Sequence, residues 1–439
     1  MSTPKLWSNF NINLAYTGES EIVEVVALYL DRSKTSPLHL ELSALDEYED
    51  NVDQLGFQSW RTFKLLLDAH TRWFEVKMNI GWQIMYDMDI ERHLGTISSH
   101  CDILQSFSIR FGDEDELPFL FDFSSECPYL FHLLEKAPRL RSLGLHYFGK
   151  SFTLPFSTLA EISVLADLTV EEAIDCLSMC PNLRVAKFSI ADLEHDERPG
   201  TQKMCCAKLS SLTCTFSGSW HDGVKFLGAL TLPALIKPDL YGGQWPGMPQ
   251  QLNTSLRNLL QRSHCQLGSL NLGPGFFASE TELLHILHLA PKLIHLELES
   301  DPVITITFFE NLTKSKVDGH GDALDHDDKS SKLLPQLTSL HIRLRHWRSS
   351  SVDSSFSLPD PEAILSMVKS RRTVDLEGKN KRLESFSFTA SLDLEQIPEG
   401  REWKRSFTSV VEAGLQALKE DGLKLELQIN NWDIQLVAL

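Results

Sequence analysis

Three histidines carry the clearest ligand chemistry in this 439-residue sequence. His285 and His288 sit on adjacent turns of an apolar helical segment, and His295 follows on a strand-like one. Two imidazoles so spaced can share a Zn²⁺ ion, which takes four N, S or O ligands. No further ligand has matching spacing, and the helix must give its apolar side to a core, so the expectation is a structural role. Cys176 and Cys180 fall four apart on another helical segment and read as packing thiols. Met204-Cys205-Cys206 precedes a strand motif and reads as buried. Val317–Asp328 mixes His and Asp without ligand spacing and reads as a solvated acidic loop. Gly273-Pro274-Gly275 lacks both the glycine spacing and the lysine of a phosphate loop. Gly242–Gly247 reads as a turn-rich loop whose Trp245, if exposed, would be a partner anchor. Nucleophile-elbow, zinc-protease and Walker patterns do not occur. The expectation is therefore no catalytic residues, no cofactor and no metal: the chain is not an enzyme, the less favoured alternative being one with a loop-built site.

Charge narrows the partners. Lys plus Arg number 41 against 60 Asp plus Glu, a formal charge of −19. Nucleic acid and anionic membrane both require clustered positive charge, so neither is expected. The N-terminus has no apolar run of signal-peptide type, and no span is long enough for a membrane. The eight cysteines form no Cys-x-x-Cys pair, which fits a reducing compartment. An intracellular place, cytoplasmic or nuclear, is expected. The sequons at Asn253 and Asn311 are then chance matches.

The elements that would position such residues come from a repeat. Apolar residues recur at i, i+3 and i+5: Trp73-Val76-Met78, Leu104-Phe107-Ile109, Leu140-Leu143-Leu145, Leu159-Ile162-Val164, Leu183-Ala186-Phe188, Leu209-Leu212-Cys214, Leu267-Leu270-Leu272, Leu293-Leu296-Leu298, Leu337-Leu340-Ile342 and Leu383-Phe386-Phe388. Leu235-Pro238-Leu240 is a degenerate copy, and Pro37–Leu42 and Leu423–Leu427 read as terminal strands. From Leu140 the intervals run 19, 24, 26, 58, 26, 44 and 46. Those near 20–29 match a leucine-rich repeat, and the longer ones hold insertions. Alternation within a motif marks a half-buried strand. The upstream segments Tyr129–Ala137, Val170–Cys180 and Thr281–Ala290 have helical spacing and stop before a proline.

Each unit thus reads helix, proline turn, strand. Stacked units would share one core. The predicted fold class is α/β: an irregular leucine-rich-repeat solenoid, a horseshoe with parallel strands on the concave face and helices on the convex face. The Asn or Cys expected three residues past the last leucine is replaced by Phe148, Ala191, Gly275 and Asp301, which predicts loose turns and uneven curvature. A helix over Glu19–Lys34, with Ile22, Val25, Val26 and Tyr29 on one face, belongs to an N-terminal cap over 16–70. The repeats occupy 71–400, with insertions near 313–332, 348–361 and 373–381, and a C-terminal cap covers 401–439. Solenoids bind partners on the outward side of their strands. By alternation, the protein-binding candidates are Lys77, Arg110, His146, Lys187, Asn271, His295, Glu297, Glu299, His341 and Arg343.

Three segments carry a family resemblance: Ser2-Thr-Pro-Lys-Leu-Trp-Ser-Asn9, Ser36-Pro-Leu-His-Leu-Glu-Leu42, and the Ala-Pro-x-Leu-x-x-Leu-x-Leu units at Ala137 and Ala290. In these the chain resembles the F-box and leucine-rich-repeat-like proteins of mushroom-forming fungi. In that family the first segment closes the F-box, whose helices dock the adaptor of a cullin-type ubiquitin ligase. Residues 1–15 would be the F-box tail. The resemblance implies the substrate-recognition half of such a ligase, binding a protein substrate, with the adaptor a partner only where an F-box lies upstream. The alternative is a stand-alone repeat scaffold without a ligase role.

Overall fold

A computed structural model describes residues 3–16, 21–44, 56–81, 93, 95, 100–111, 128–149, 153–191, 203–243, 250–277, 279–300, 304–313, 333–345, 358–373, 381–391 and 400–430. Nearly all of the three insertions, together with Trp245 and Asp301, lies outside these residues. The chain divides into two compact units, Met1–Asp196 and Glu197–Leu439.

In the first unit the strands are β1 (Asn9–Asn13), β2 (Leu38–Ser43), β3 (Trp73–Ile80), β4 (Ser106–Phe111), β5 (Ser142–Leu145), β6 (Glu161–Leu168) and β7 (Val185–Ile190). They pair in chain order, all parallel. Helices α1 (Glu21–Ser33), α2 (Phe57–Asp68), α3 (Pro128–Glu135) and α4 (Val170–Met179) lie between strands, as parallel pairing requires a crossover. The register aligns Phe10, Leu40, Val76, Phe107, Leu143, Ile162 and Ala186 in one row. All are buried. Successive side chains point to opposite faces, so a shift of one residue would turn this row outward.

The second unit repeats the scheme with β9 (Ser211–Phe216), β11 (Lys237–Tyr241), β12 (Ser269–Leu272), β13 (His295–Ser300), β14 (Ser339–Arg345), β15 (Ser385–Ser391) and β16 (Lys424–Asn430). These too are parallel in chain order, while the short β8 (Met204–Cys205) and β10 (Leu230–Thr231) pair with each other. Its helices are α5 (Trp220–Ala229), α6 (Gln250–Ser263), α7 (Glu280–His288), α8 (Ile306–Leu312), α9 (Pro361–Arg372), α10 (Gly400–Phe407) and α11 (Ala413–Glu420). They cover the apolar face: Phe216 of β9 packs edge-on against Phe226 of α5 at 6.3 Å, and Phe388 of β15 stacks on Phe407 of α10 at 5.1 Å.

One hydrogen-bond device recurs where each strand begins. The N–H groups of Leu140, Leu183, Leu209, Leu235, Leu293 and Leu337 each donate to the carbonyl three residues earlier. The turn so closed places the first leucine of each motif inward. The next two N–H groups then share one carbonyl of the preceding strand. Gly268 and Ser269 donate to Ile236, Ile294 and His295 to Gly268, Thr338 and Ser339 to Ile294, and Glu384 and Ser385 to Thr338. Each repeat therefore takes its register from the one before it.

The absent Asn positions are met in other ways. Phe148 and Ala191 are buried, and Gly275 adopts φ +84°, open to glycine without strain. Guanidinium groups cap turn carbonyls. Arg371 donates to Leu312, Leu334 and Leu333 at 2.6, 2.8 and 2.5 Å and is 2% exposed. Arg262 caps Leu230 at 2.6 Å and also Leu227. Arg72 donates to Ser36 and Leu30 at 3.2 and 3.3 Å.

The expected α/β organisation with parallel strands is present, and the terminal segments form β2 and β16 and the degenerate copy β11. Strand β1 was not foreseen; it lies within the segment read as an F-box tail. Two expectations need correction. In α1 the buried apolar residues are Val23 and Val26, while Val25 is 48% exposed, because the helix is turned to lay its 23/26 edge on the core. Cys205 is exposed, because Met204-Cys205 forms the strand β8 rather than entering the core. Among the described residues no helix is long and apolar enough to cross a membrane.

Candidate functional site

The face turned away from the helices carries the polar rows. In the second unit one row runs Ser269, His295, Ser339, Ser385 and Lys424. The next runs Asp239, Asn271, Glu297, His341, Ser387 and Glu426. Beyond it Glu299 stands beside Arg343. Ser269, His295 and Ser339 of the first row and Asp239, Asn271, Glu297 and His341 of the second, with Lys237 and Tyr241, line a hollow of about 280 Å³ on β11–β14.

Two sequence features form the hollow. Pro238 has no N–H to give to a neighbouring strand, and β11 registers with β12 only at Asp239 and Leu240, against five pairs with β9. Gly273 gives the second feature. A Cβ at that position would lie 2.8 Å from Tyr241 Cδ1 and 3.0 Å from Tyr241 Cα. Its absence lets Tyr241 reach Asn271, whose Nδ2 donates to the phenol oxygen at 2.8 Å. Gly273-Pro274-Gly275 is thus a close-packed turn that seats a side chain.

Charges surround this floor. Lys237 Nζ is 3.4 Å from Asp239, and Arg343 is 3.1 Å from Glu297 and 3.9 Å from Glu299. The Tyr241 phenol is held above its usual pKa, first by burial and then by Asp239, Glu297 and Glu299, with Arg343 opposing. Three carboxylates stand here against two cations. His341 Nε2 lies 3.1 Å from Ser339 Oγ, a nucleophile–base contact in outline. A triad also needs a group orienting the imidazole and donors for an oxyanion. Among the described residues nothing else hydrogen-bonds the His341 imidazole, and the Ser339 N–H is committed to Ile294.

Of the ten candidates, Asn271, His295, Glu297 and His341 line the hollow, and Glu299 and Arg343 stand in the next row. Lys77, Arg110 and Lys187 are exposed in the first unit. Lys77 and Lys187 share a row with Ser108, Gly144 and Ser163 between them. Lys77 pairs with Glu75 at 3.1 Å, and Glu75 also lies 3.3 Å from His39. His146 is not on this surface. Strand β5 ends at Leu145, so alternation no longer applies; the ring is 1% exposed, stacks on Tyr147, and its Nδ1 accepts the Phe111 N–H at 2.9 Å.

Sequence reasoning passed over Lys237, Asp239 and Tyr241, because Pro238 disguised β11. Continuing the alternation through Leu235-Pro238-Leu240 would have found all three. His285 and His288 are exposed on α7, on the opposite side of the layer from the outward-facing His295. Among the described residues no three His, Cys, Asp or Glu side chains are placed to hold a metal ion. Asn253 is 3% exposed and its amide faces the Phe276 carbonyl at 3.4 Å, so that sequon is closed.

No protein-family model matches the chain, and no curated protein matches it in sequence. Among solved structures it is similar to a crystal structure of a protein from Bacteroides fragilis, 14% identical over 93% of this chain and 78% of that one, with a TM-score of 0.31. A likeness that distant supports no statement about function.

Proposed function

We propose that this chain is a leucine-rich-repeat interaction protein that takes a protein partner on the outward, concave side of its strands. What carries the reading is the register: polar side chains from strand after strand stand in straight rows over a continuous apolar layer, and in the second unit they border a hollow. A face built from many independent polar positions suits recognition of an extended partner surface. Fold alone never fixes function, so the reading rests on these rows.

Within this proposal the chain acts as the substrate-recognition part of a cullin-type ubiquitin ligase, as its resemblance to F-box proteins implies. Adaptor binding then requires F-box helices upstream, and without them the chain is a stand-alone scaffold.

Site-specific photo-crosslinking tests the reading. A benzophenone side chain is placed at His295 on the outward face and, separately, at His285 on the helical side. Crosslinks from position 295 that excess unlabelled chain competes away, with none from 285, are the expected result. Equal labelling from both, or labelling from 285 alone, overturns it. Co-purification of adaptor with a version extended upstream tests the ligase role separately.

A further inference from the structure

The hollow on β11–β14 has a chemistry more specific than a general interaction face. Its floor is Asn271, 9% exposed, whose amide N–H is donated to Tyr241. Among the described residues no donor meets its carbonyl oxygen, and Asn271 lines the hollow. In the same row Asp239 stands one strand to one side and Glu297 one strand to the other. Strands lie about 4.8 Å apart, so the backbone positions that carry these carboxylates flank Asn271 across roughly 9.5 Å; Asp239 Oδ2 also accepts from Thr213 Oγ1 at 3.4 Å on its far side. Ionised carboxylates and a carbonyl accept hydrogen bonds and do not donate them. Asp239, Asn271 and Glu297 thus offer adjacent acceptors, and the two carboxylates outnumber the one lysine of the lining.

We propose that this hollow is a socket for an arginine side chain of the partner, the guanidinium lying over the Asn271 carbonyl between Asp239 and Glu297; the proposal rests on the interaction reading above. A planar fork with five N–H donors can meet both walls and the floor at once. An anion in the same place would lie between two carboxylates. The resident cations do not fill the gap. Lys237 and Arg343 approach from the edges with side chains 54% and 45% exposed, while Asp239 and Glu297 are 14% and 30% exposed, so an entering guanidinium takes over carboxylates that the resident cations hold from outside. The overall charge of −19 draws basic partners toward the chain.

The test is calorimetric titration of the full chain with acetyl-Gly-Gly-Arg-Gly-Gly-amide, and with the peptide carrying neutral, isosteric citrulline instead. The expected result is saturable binding of the arginine peptide, with a dissociation constant on the order of 1 mM, and binding of the citrulline peptide at least about tenfold weaker. Asp239→Asn with Glu297→Gln lowers affinity for arginine by about tenfold or more and leaves citrulline unchanged. Asn271→Asp adds a charge to the floor and tightens arginine binding several-fold, which decides the matter even if the double variant fails to fold. Equal affinity for the two peptides, no saturation up to about 10 mM, or affinity for arginine unchanged by the wall variants overturns the socket. If arginine binding fails while competed crosslinking from position 295 persists, the socket is lost and the interaction face stands. If both fail, both are wrong.

Discussion

Replacing Arg371 by methionine should destabilise the second unit by about 3 kcal/mol. Burial depresses the guanidinium pKa from 12.5 to about 10. At 1.36 kcal/mol per pH unit, holding the charge inside costs on the order of 3 kcal/mol. Against this stand three charge-assisted bonds to Leu312, Leu333 and Leu334, each contributing roughly 1.5–3 kcal/mol. Methionine fills similar volume, removes the cost and loses all three bonds. The net loss lies at about 1.5–6 kcal/mol, centred near 3. Lysine retains the cost, but one nitrogen cannot serve three carbonyls placed for a fork, so Arg371→Lys should fall within about 1 kcal/mol of the methionine variant. Urea denaturation followed by circular dichroism measures the loss. Hydrogen exchange should quicken at Leu337 and Thr338, whose N–H bonds depend on the capped turn. A methionine variant within about 0.5 kcal/mol of the parent, or a lysine variant equal to it, would refute the view that the fork closes this turn.

Further expectations follow from other sites. Cys205 should react with a thiol reagent at pH 8 in the native chain, whereas Cys101, its pKa pushed up to about 12 chiefly by burial, should react only on unfolding; peptide mapping of labelled thiols decides. Glu75 is held below its usual pKa of 4.5, first by its hydrogen bond from Lys77, so its folded pKa lies under the unfolded one. Its stabilisation is complete above about 4.5 and is lost as pH falls through the folded value, so the melting difference between Glu75→Gln and the parent should close in acid. That difference is only a few tenths of a kcal/mol, because both partners are over a third exposed. Gly273→Ala should cost about 1–3 kcal/mol by driving a methyl into Tyr241. Gly228→Ala on α5, where an added Cβ meets nothing within 4 Å, should stabilise by up to about 1 kcal/mol; opposite shifts in unfolding midpoint check the pair.

The strands were legible because a period of two leaves a plain mark. Leu293, Leu296 and Leu298 all prove buried, and His295 and Glu297 all face outward, as alternation requires. Alternation failed at two kinds of place. It overran the end of β5, so His146 was given to the surface when the chain had already turned it inward. It was discounted at Pro238, since proline argues against a central strand, yet the chain keeps the strand and forgoes part of one ladder. Phe10 and Ile12 alternate in Asn9–Asn13, but five residues are too few to announce β1 beside a stronger reading as a tail. The arginine caps were invisible because their partners lie 32 to 59 residues away. Asn271 was found as one polar position among several. What sets it apart, a short side chain between two carboxylates with its amide tied to Tyr241, exists only once neighbouring strands are in register.

Among the described residues, every long strand in each unit bonds within that unit only to the long strands next to it in the chain. No contact in these ladders waits for distant segments to meet. Assembly can begin at any well-formed pair and grow outward one helix and strand at a time, as a zipper closes. Growth is also reversible from the outer ends, so thermal fraying that begins at β16 should open β15 before it reaches the hollow on β11–β14. The socket would then keep its shape under loads that have already opened the tip.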